Sequence, residues 1–119
     1  MSQLVNLVID QGSDFVATLD VQDSIGTPIV LDLYDIRGQI RKTYSSTTSY
    51  DFTCVKTTNQ GEVKLSMVGS LTASMREGRY VYDVEIIHSV LGTVIRVVEG
   101  QVTVTPRVSR TPIVVPPGP

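Results

Sequence analysis

Glu77-Gly78-Arg79-Tyr80-Val81-Tyr82-Asp83-Val84-Glu85-Ile86-Ile87 carries the plainest strand pattern in the chain. Gly78 supplies a turn, and from there the residues alternate as in a strand with one buried face. Tyr80, Tyr82, Val84 and Ile86 share one side, and Arg79, Val81, Asp83 and Glu85 share the other. The strand is therefore expected to bury two tyrosines and to show solvent a row of charges.

On either side, the flanking residues are short strands broken by turns. Ser70 to Met75 carries the one helical pattern, with Ser70 able to cap it and Leu71 and Met75 four apart. Gly69 and Gly78 limit it to about a turn, which predicts a crossover between two sheets. Upstream, Tyr50 to Lys56 and Glu62 to Met67 form a hairpin around Thr57-Thr58-Asn59-Gln60-Gly61. The first is expected to bury Phe52 and Cys54, the second Val63, Leu65 and Met67. Ile36 to Lys42 places Ile36, Gly38 and Ile40 inward. Leu4 to Ile9 and Phe15 to Val21 are the first two strands, and Ile29-Val30-Leu31 reads as a short edge or bridging strand. After the turn at Ser89-Val90-Leu91-Gly92, the last strand runs from Thr93 to Thr105. Ile95 and Val97 share one parity and Val102 and Val104 the other, which predicts a β-bulge at Glu99-Gly100.

These six to eight strands predict an all-β, antiparallel β-sandwich over residues 1–105, with a small closed barrel as the alternative. Gly78-x-Tyr80, with Tyr82 two places on, resembles the tyrosine corner of immunoglobulin-like sandwiches. That resemblance implies a Tyr80 hydroxyl turned back onto the corner's backbone, with its ring in the core. Tyr82 stands where antibody domains carry a Cys, so the core is expected to rely on packing.

Composition bounds the function. The 119 residues include ten Lys and Arg against twelve Asp and Glu, a net charge of −2. So balanced a charge argues against nucleic acid or an anionic membrane as the main partner. A single cysteine, Cys54, allows no intrachain disulfide. The N-terminus lacks the basic region and cleavage site of a secretory signal, and no stretch has ~18 consecutive apolar residues. A soluble product made in a cytoplasm is expected.

Catalytic chemistry is not legible. His88 stands alone beside a turn, so it has no partners for a metal site. Cys54, on the inward parity, reads as a small buried hydrophobe. Asp83 and Glu85 lie about 7 Å apart on one strand face, a spacing that invites a glycosidase reading. That face is solvated, however, and the neighbouring strand offers Arg37 and Arg41 as cross-strand partners. No cofactor is expected. Exposed aromatics for a sugar platform reduce to Tyr44 and Tyr50, which bracket the polar loop Ser45 to Ser49.

The composition changes after Thr105. Residues 106–119 hold five of the six prolines and read as an extended C-terminal arm. Ile113, Val114 and Val115 are apolar, yet they sit among prolines that keep them out of a central strand. With Arg107 and Arg110 they form the expected partner-binding strip.

Leu31-x-Leu33-Tyr34 with Ile36-Arg37-Gly38-Gln39-Ile40-Arg41-Lys42, Gly78 to Glu85, and Arg96-Val97-Val98-Glu99-Gly100-x-Val102-Thr103-Val104-x-Pro106 together resemble small virion proteins of tailed bacteriophages. The chain looks most similar to the immunoglobulin-like N-terminal domain of baseplate and tail-fibre adaptor proteins, over about residues 10 to 110. The resemblance implies a non-enzymatic virion structural or accessory protein, attached through its sandwich surface and C-terminal arm. It would serve in capsid decoration or as a baseplate, neck or tail subunit. The implied partners are other virion structural proteins and copies of itself, with no nucleic acid and no membrane. The implied location is the virion, after synthesis in the host cytoplasm. Family members often carry a fibre region after this domain; the chain stops at Pro119, so a stand-alone accessory subunit is expected. The alternative is a carbohydrate- or receptor-binding module of a phage tail fibre.

Overall fold

A computed structural model describes residues 3–22 and 25–108. In chain order the strands are β1 (Gln3–Leu4), β2 (Leu7–Asp10), β3 (Phe15–Asp20), β4 (Tyr34–Arg41), β5 (Ser49–Asp51), β6 (Thr53–Lys56) and β7 (Glu62–Met67). The short helix α1 (Gly69–Ala73) follows, then β8 (Gly78–His88) and β9 (Val94–Thr105). One sheet runs β1-β9-β8-β4-β5 with β2 also on β9, and the other runs β3-β7-β6. The two pack as a sandwich, as the alternation predicts. The larger sheet is mixed, because β1 and β2 pair parallel to β9 while the remaining pairs are antiparallel.

The inner faces follow the period of two. Val63, Leu65 and Met67 on one sheet and Tyr80, Tyr82, Val84 and Ile86 on the other are all buried in one core. Phe52 lies between the sheets, 5.9 Å from the Phe15 ring and 5.9 Å from the Tyr82 ring, edge-on to the latter. Such offset and edge-on contacts suit the aromatic quadrupole.

Several boundaries differ from expectation, each for a local reason. Tyr50 to Lys56 is not one strand. Phe52 N–H donates to the Gly38 carbonyl in the larger sheet at 2.9 Å. Thr53 then pairs with Ser66 in the other sheet. The chain changes sheets at Phe52 because that ring fills the space between them. Ile29-Val30-Leu31 forms no strand; a single bridge joins Gln22 and Pro28, and Leu31 is buried without a ladder. Ser70 does not cap α1. The N-cap is Val68, without a side-chain bond, and Asp14 accepts from Gly69 N–H at 2.7 Å instead.

The parity slip in β9 is present, but two residues earlier than expected. Val84 pairs with Val98 and Glu85 with Arg96, leaving Val97 as the extra residue. Val97 and Val98 are consequently both buried. Gly100 has a different duty. A Cβ there would run into the Val5 carbonyl, so glycine lets β1 and β2 approach β9. The join is held by Val5 N–H to the Glu99 carbonyl at 2.9 Å and by Gln101 N–H to Asn6 Oδ1 at 3.0 Å. Tyr82 Oη donates to the Val5 carbonyl at 2.6 Å, and burial pushes this phenol up to about 12.

The corner forms as the resemblance implies. Tyr80 Oη donates to the Arg76 carbonyl at 2.7 Å while its ring is buried. Tyr50 stands edge-on to that ring at 6.2 Å, and Lys42 Nζ lies 4.7 Å above it.

Candidate functional site

Two surface regions come into question. They occupy different parts of the larger sheet.

The first is the outer face of β8 and its neighbours. The inward run of tyrosines and aliphatics forces Asp83 and Glu85 outward. Glu85 lies directly opposite Arg37, whose Nη2 donates to Glu85 Oε1 at 2.7 Å. This bond raises the Arg37 pKa further. Asp83 does not meet Arg41, as the neighbouring strand would predict. It lies 3.3 Å from Arg96 Nε on β9, and Arg96 also reaches Glu99 at 3.8 Å. Arg41 turns away to donate to the Ser46 carbonyl at 2.6 Å, tying down the Ser/Thr loop. The one-residue bulge at Val97 explains the difference, because it brings Arg96 into register opposite Glu85 and beside Asp83.

These residues line an open groove of about 310 Å³, together with Tyr44 and Val81. Tyr44 is 83% exposed, whereas Tyr50 is half-buried against the corner. Of the two aromatics bracketing the loop, only Tyr44 faces the groove. Chemically the face is a ladder of opposed charges, each exposed pair contributing a few tenths to ~1 kcal/mol.

Burial, and after it the Glu85 charge, raises the Asp83 pKa against the opposing pull of Arg96. Folding therefore tightens proton binding here. Stability from this group is fully present below the unfolded carboxylate range and is lost as pH rises through the folded pKa. Asp83→Asn removes that loss. Because the side chain is 35% exposed, screening keeps the effect small. The variant's thermal midpoint should stand about 1–2 °C above the parent at pH 7, and the gap should close at pH ~3. A lower midpoint for the variant at pH 7 would show that the Arg96 pair outweighs burial.

Cys54 is half-buried, and its thiol is pushed up to about 11, chiefly by burial. Very little thiolate exists there at neutral pH, which fits an inert packing residue. His88 has a part that single-sequence reasoning missed. Its Nδ1 accepts from both Val90 N–H at 3.2 Å and Leu91 N–H at 3.0 Å. Its ring also stands edge-on to Tyr34 at 5.1 Å. The only sequence signal was a His immediately before a turn. Among the described residues no group of His, Cys, Asp and Glu is arranged to hold a metal ion, and no helix is long and apolar enough to cross a membrane.

The second region is the β8–β9 hairpin tip. His88 N–H donates to the Thr93 carbonyl at 2.8 Å, Gly92 N–H to the His88 carbonyl at 2.9 Å, and Ser89 N–H to the Leu33 carbonyl at 2.8 Å. This well-bonded turn presents Val90 and Leu91, 77% and 74% exposed, with Leu33, Val94 and Ile95 also exposed around it.

The arm's root lies at the opposite end of β9. Gln11 N–H donates to the Thr105 carbonyl at 3.0 Å, and Arg107 N–H to Gln11 Oε1 at 3.3 Å. The Arg107 guanidinium covers Gly12, where a Cβ would collide with it. Gln11 Nε2 also donates to the Met75 carbonyl at 2.8 Å, so one side chain joins the arm's root to the crossover. Arg107 thus lies against its own domain. Arg110, Ile113, Val114 and Val115 lie outside the described residues.

No protein-family model and no curated protein matches this sequence. Among solved structures, the chain is similar to a family 123 glycoside hydrolase from Clostridium perfringens, studied for glycolipid glycan hydrolysis. The likeness covers 91% of this chain and 24% of the hydrolase, at 13% identity and a TM-score of 0.41. At that level it carries no argument about chemistry.

Proposed function

We propose that this chain is a non-enzymatic structural subunit of a tailed-phage particle, attached through its sandwich surface and its C-terminal arm. The observation that carries the proposal is the apolar hairpin tip. Leu33, Val90, Leu91, Val94 and Ile95 add little to their own core, yet a bonded turn holds the tip in one shape. Exposed apolar area on a rigid element favours docking, because burial is favourable and little freedom is lost. The phage assignment rests on the sequence resemblance over residues 10 to 110. Capsid decoration and a place in the baseplate, neck or tail are the two stations it would serve.

The test is peptide mass spectrometry on density-purified particles from infections that produce the chain, with immunogold labelling. The expected result is a fixed number of copies per particle, clustered at one station. Absence from washed particles would overturn the proposal.

One observation favours a second reading, a carbohydrate- or receptor-binding module. Tyr44 is an exposed aromatic beside a groove lined by planar polar side chains. Glycan binding that disappears in Tyr44→Ala would decide for it.

A further inference from the structure

We infer that the partner of the hairpin tip is the Ile113-Val114-Val115 strip of a second copy, so that copies join head to tail. This rests on the docking reading above and names the partner for it.

The tip and the arm's root lie at opposite ends of one strand. β9 runs from Val94 at the tip to Thr105 at the root. Twelve residues of strand span about 36 Å. The chain is still anchored at Arg107, where it meets Gln11 and covers Gly12. From Arg107, Ile113 is reached in six residues and Val115 in eight, at most about 22 Å and 29 Å of fully extended chain. The strip therefore falls short of its own tip. A neighbour's tip is open to it.

The two surfaces match in chemistry. From Ser89 to Ile95 the tip carries no charged residue, and from Thr111 to Pro119 the arm carries none. Pro112, Pro116 and Pro117 lack backbone donors, so the strip brings three aliphatic side chains with few polar groups to desolvate. Each copy offers one tip and one arm on different faces. Such a contact is heterologous, and it propagates into a ring or a filament rather than stopping at a dimer. Being small, it is weak between two isolated copies and gains strength when many copies are held together on a particle.

The experiment is sedimentation velocity on the full chain from ~10 µM to ~1 mM, a range suited to a contact of this size. The parent chain should rise from its 13.0 kDa monomer to at least twice that weight-average mass. Leu91→Asp blocks the tip and Val114→Asp blocks the arm, and each variant alone should remain a monomer with the parent's thermal midpoint. Mixed one to one, they should form a dimer and nothing larger, because one intact arm then meets one intact tip. A parent that stays monomeric at the highest concentration overturns the inference. So does self-association that survives Val114→Asp, which marks a tip-to-tip contact, or a mixture that gives no dimer. A chain monomeric in solution yet present in particles would leave the structural role standing and assign the tip to a different subunit.

Discussion

Tyr80→Ala is expected to lower the domain's stability by about 3–5 kcal/mol, the cost of truncating a buried aromatic. For a chain of this size that is roughly 12–20 °C of thermal midpoint, enough to consume much of an ordinary domain's stability. The ring is buried and packs edge-on to Tyr50 under the Lys42 ammonium, so its loss opens a cavity at the start of β8. Tyr80→Phe separates the packing from the hydroxyl. It keeps the ring and loses only the 2.7 Å bond to the Arg76 carbonyl, for about 1 kcal/mol. Urea unfolding of both variants checks the pair. Equal losses for Phe and Ala would mean that the hydroxyl, rather than the ring, holds the corner.

The second large effect is expected at Gly100. Its missing side chain is what admits the Val5 carbonyl, which is backbone and cannot swing aside. Gly100→Ala forces β1 and β2 away from β9, at a cost of about 1–3 kcal/mol. Amide exchange localises the damage. Val5 and Gln101, whose N–H groups bond across this join, should lose protection, while Leu65 in the other sheet should exchange only as fast as the global change in stability requires. Protection retained at Val5 would show that the strands adjust without parting.

Much of this fold was legible because the strands obey a period of two. Tyr80 to Ile86 and Val63 to Met67 bury the residues their parity assigns, and the corner at Gly78 and Tyr80 forms as its resemblance implies. The bulge shows the limit of parity. A slip between Val97 and Val102 requires one extra residue somewhere between them, and pattern alone favoured the glycine. The structure places the extra residue at Val97, where two consecutive valines are both buried, and reserves Gly100 for the Val5 carbonyl. That need comes from a partner ninety-five residues away in sequence, which no local window contains. Phe52 misled for a similar reason. Its alternation continues through both β5 and β6, and only the bond from Phe52 to Gly38 and the pairing of Thr53 with Ser66 reveal the change of sheet.

The candidate surfaces were legible in part. Arg37 and Glu85 pair as the outward parity predicts, whereas Asp83 turns to Arg96 because the bulge sets that register. The hairpin tip was read only as a turn. Its apolar residues became informative once the structure showed them held outward by His88 and Leu33. Composition places Arg107 in the arm, but its contacts with Gln11 and Gly12 keep it with the sandwich, two residues past the expected boundary at Thr105.

On the proposed function, the arm attaches the sandwich to a particle and adds little to its folding. Removing residues 109–119 while keeping Arg107 on Gln11 and Gly12 tests it most directly, with the thermal midpoint and incorporation into particles measured on the same preparation. The expected result is a midpoint within about 2 °C of the full chain, a change of under ~0.5 kcal/mol, together with a sharp fall in incorporation. A truncated chain that unfolds, or one taken up by particles as fully as the parent, would contradict it.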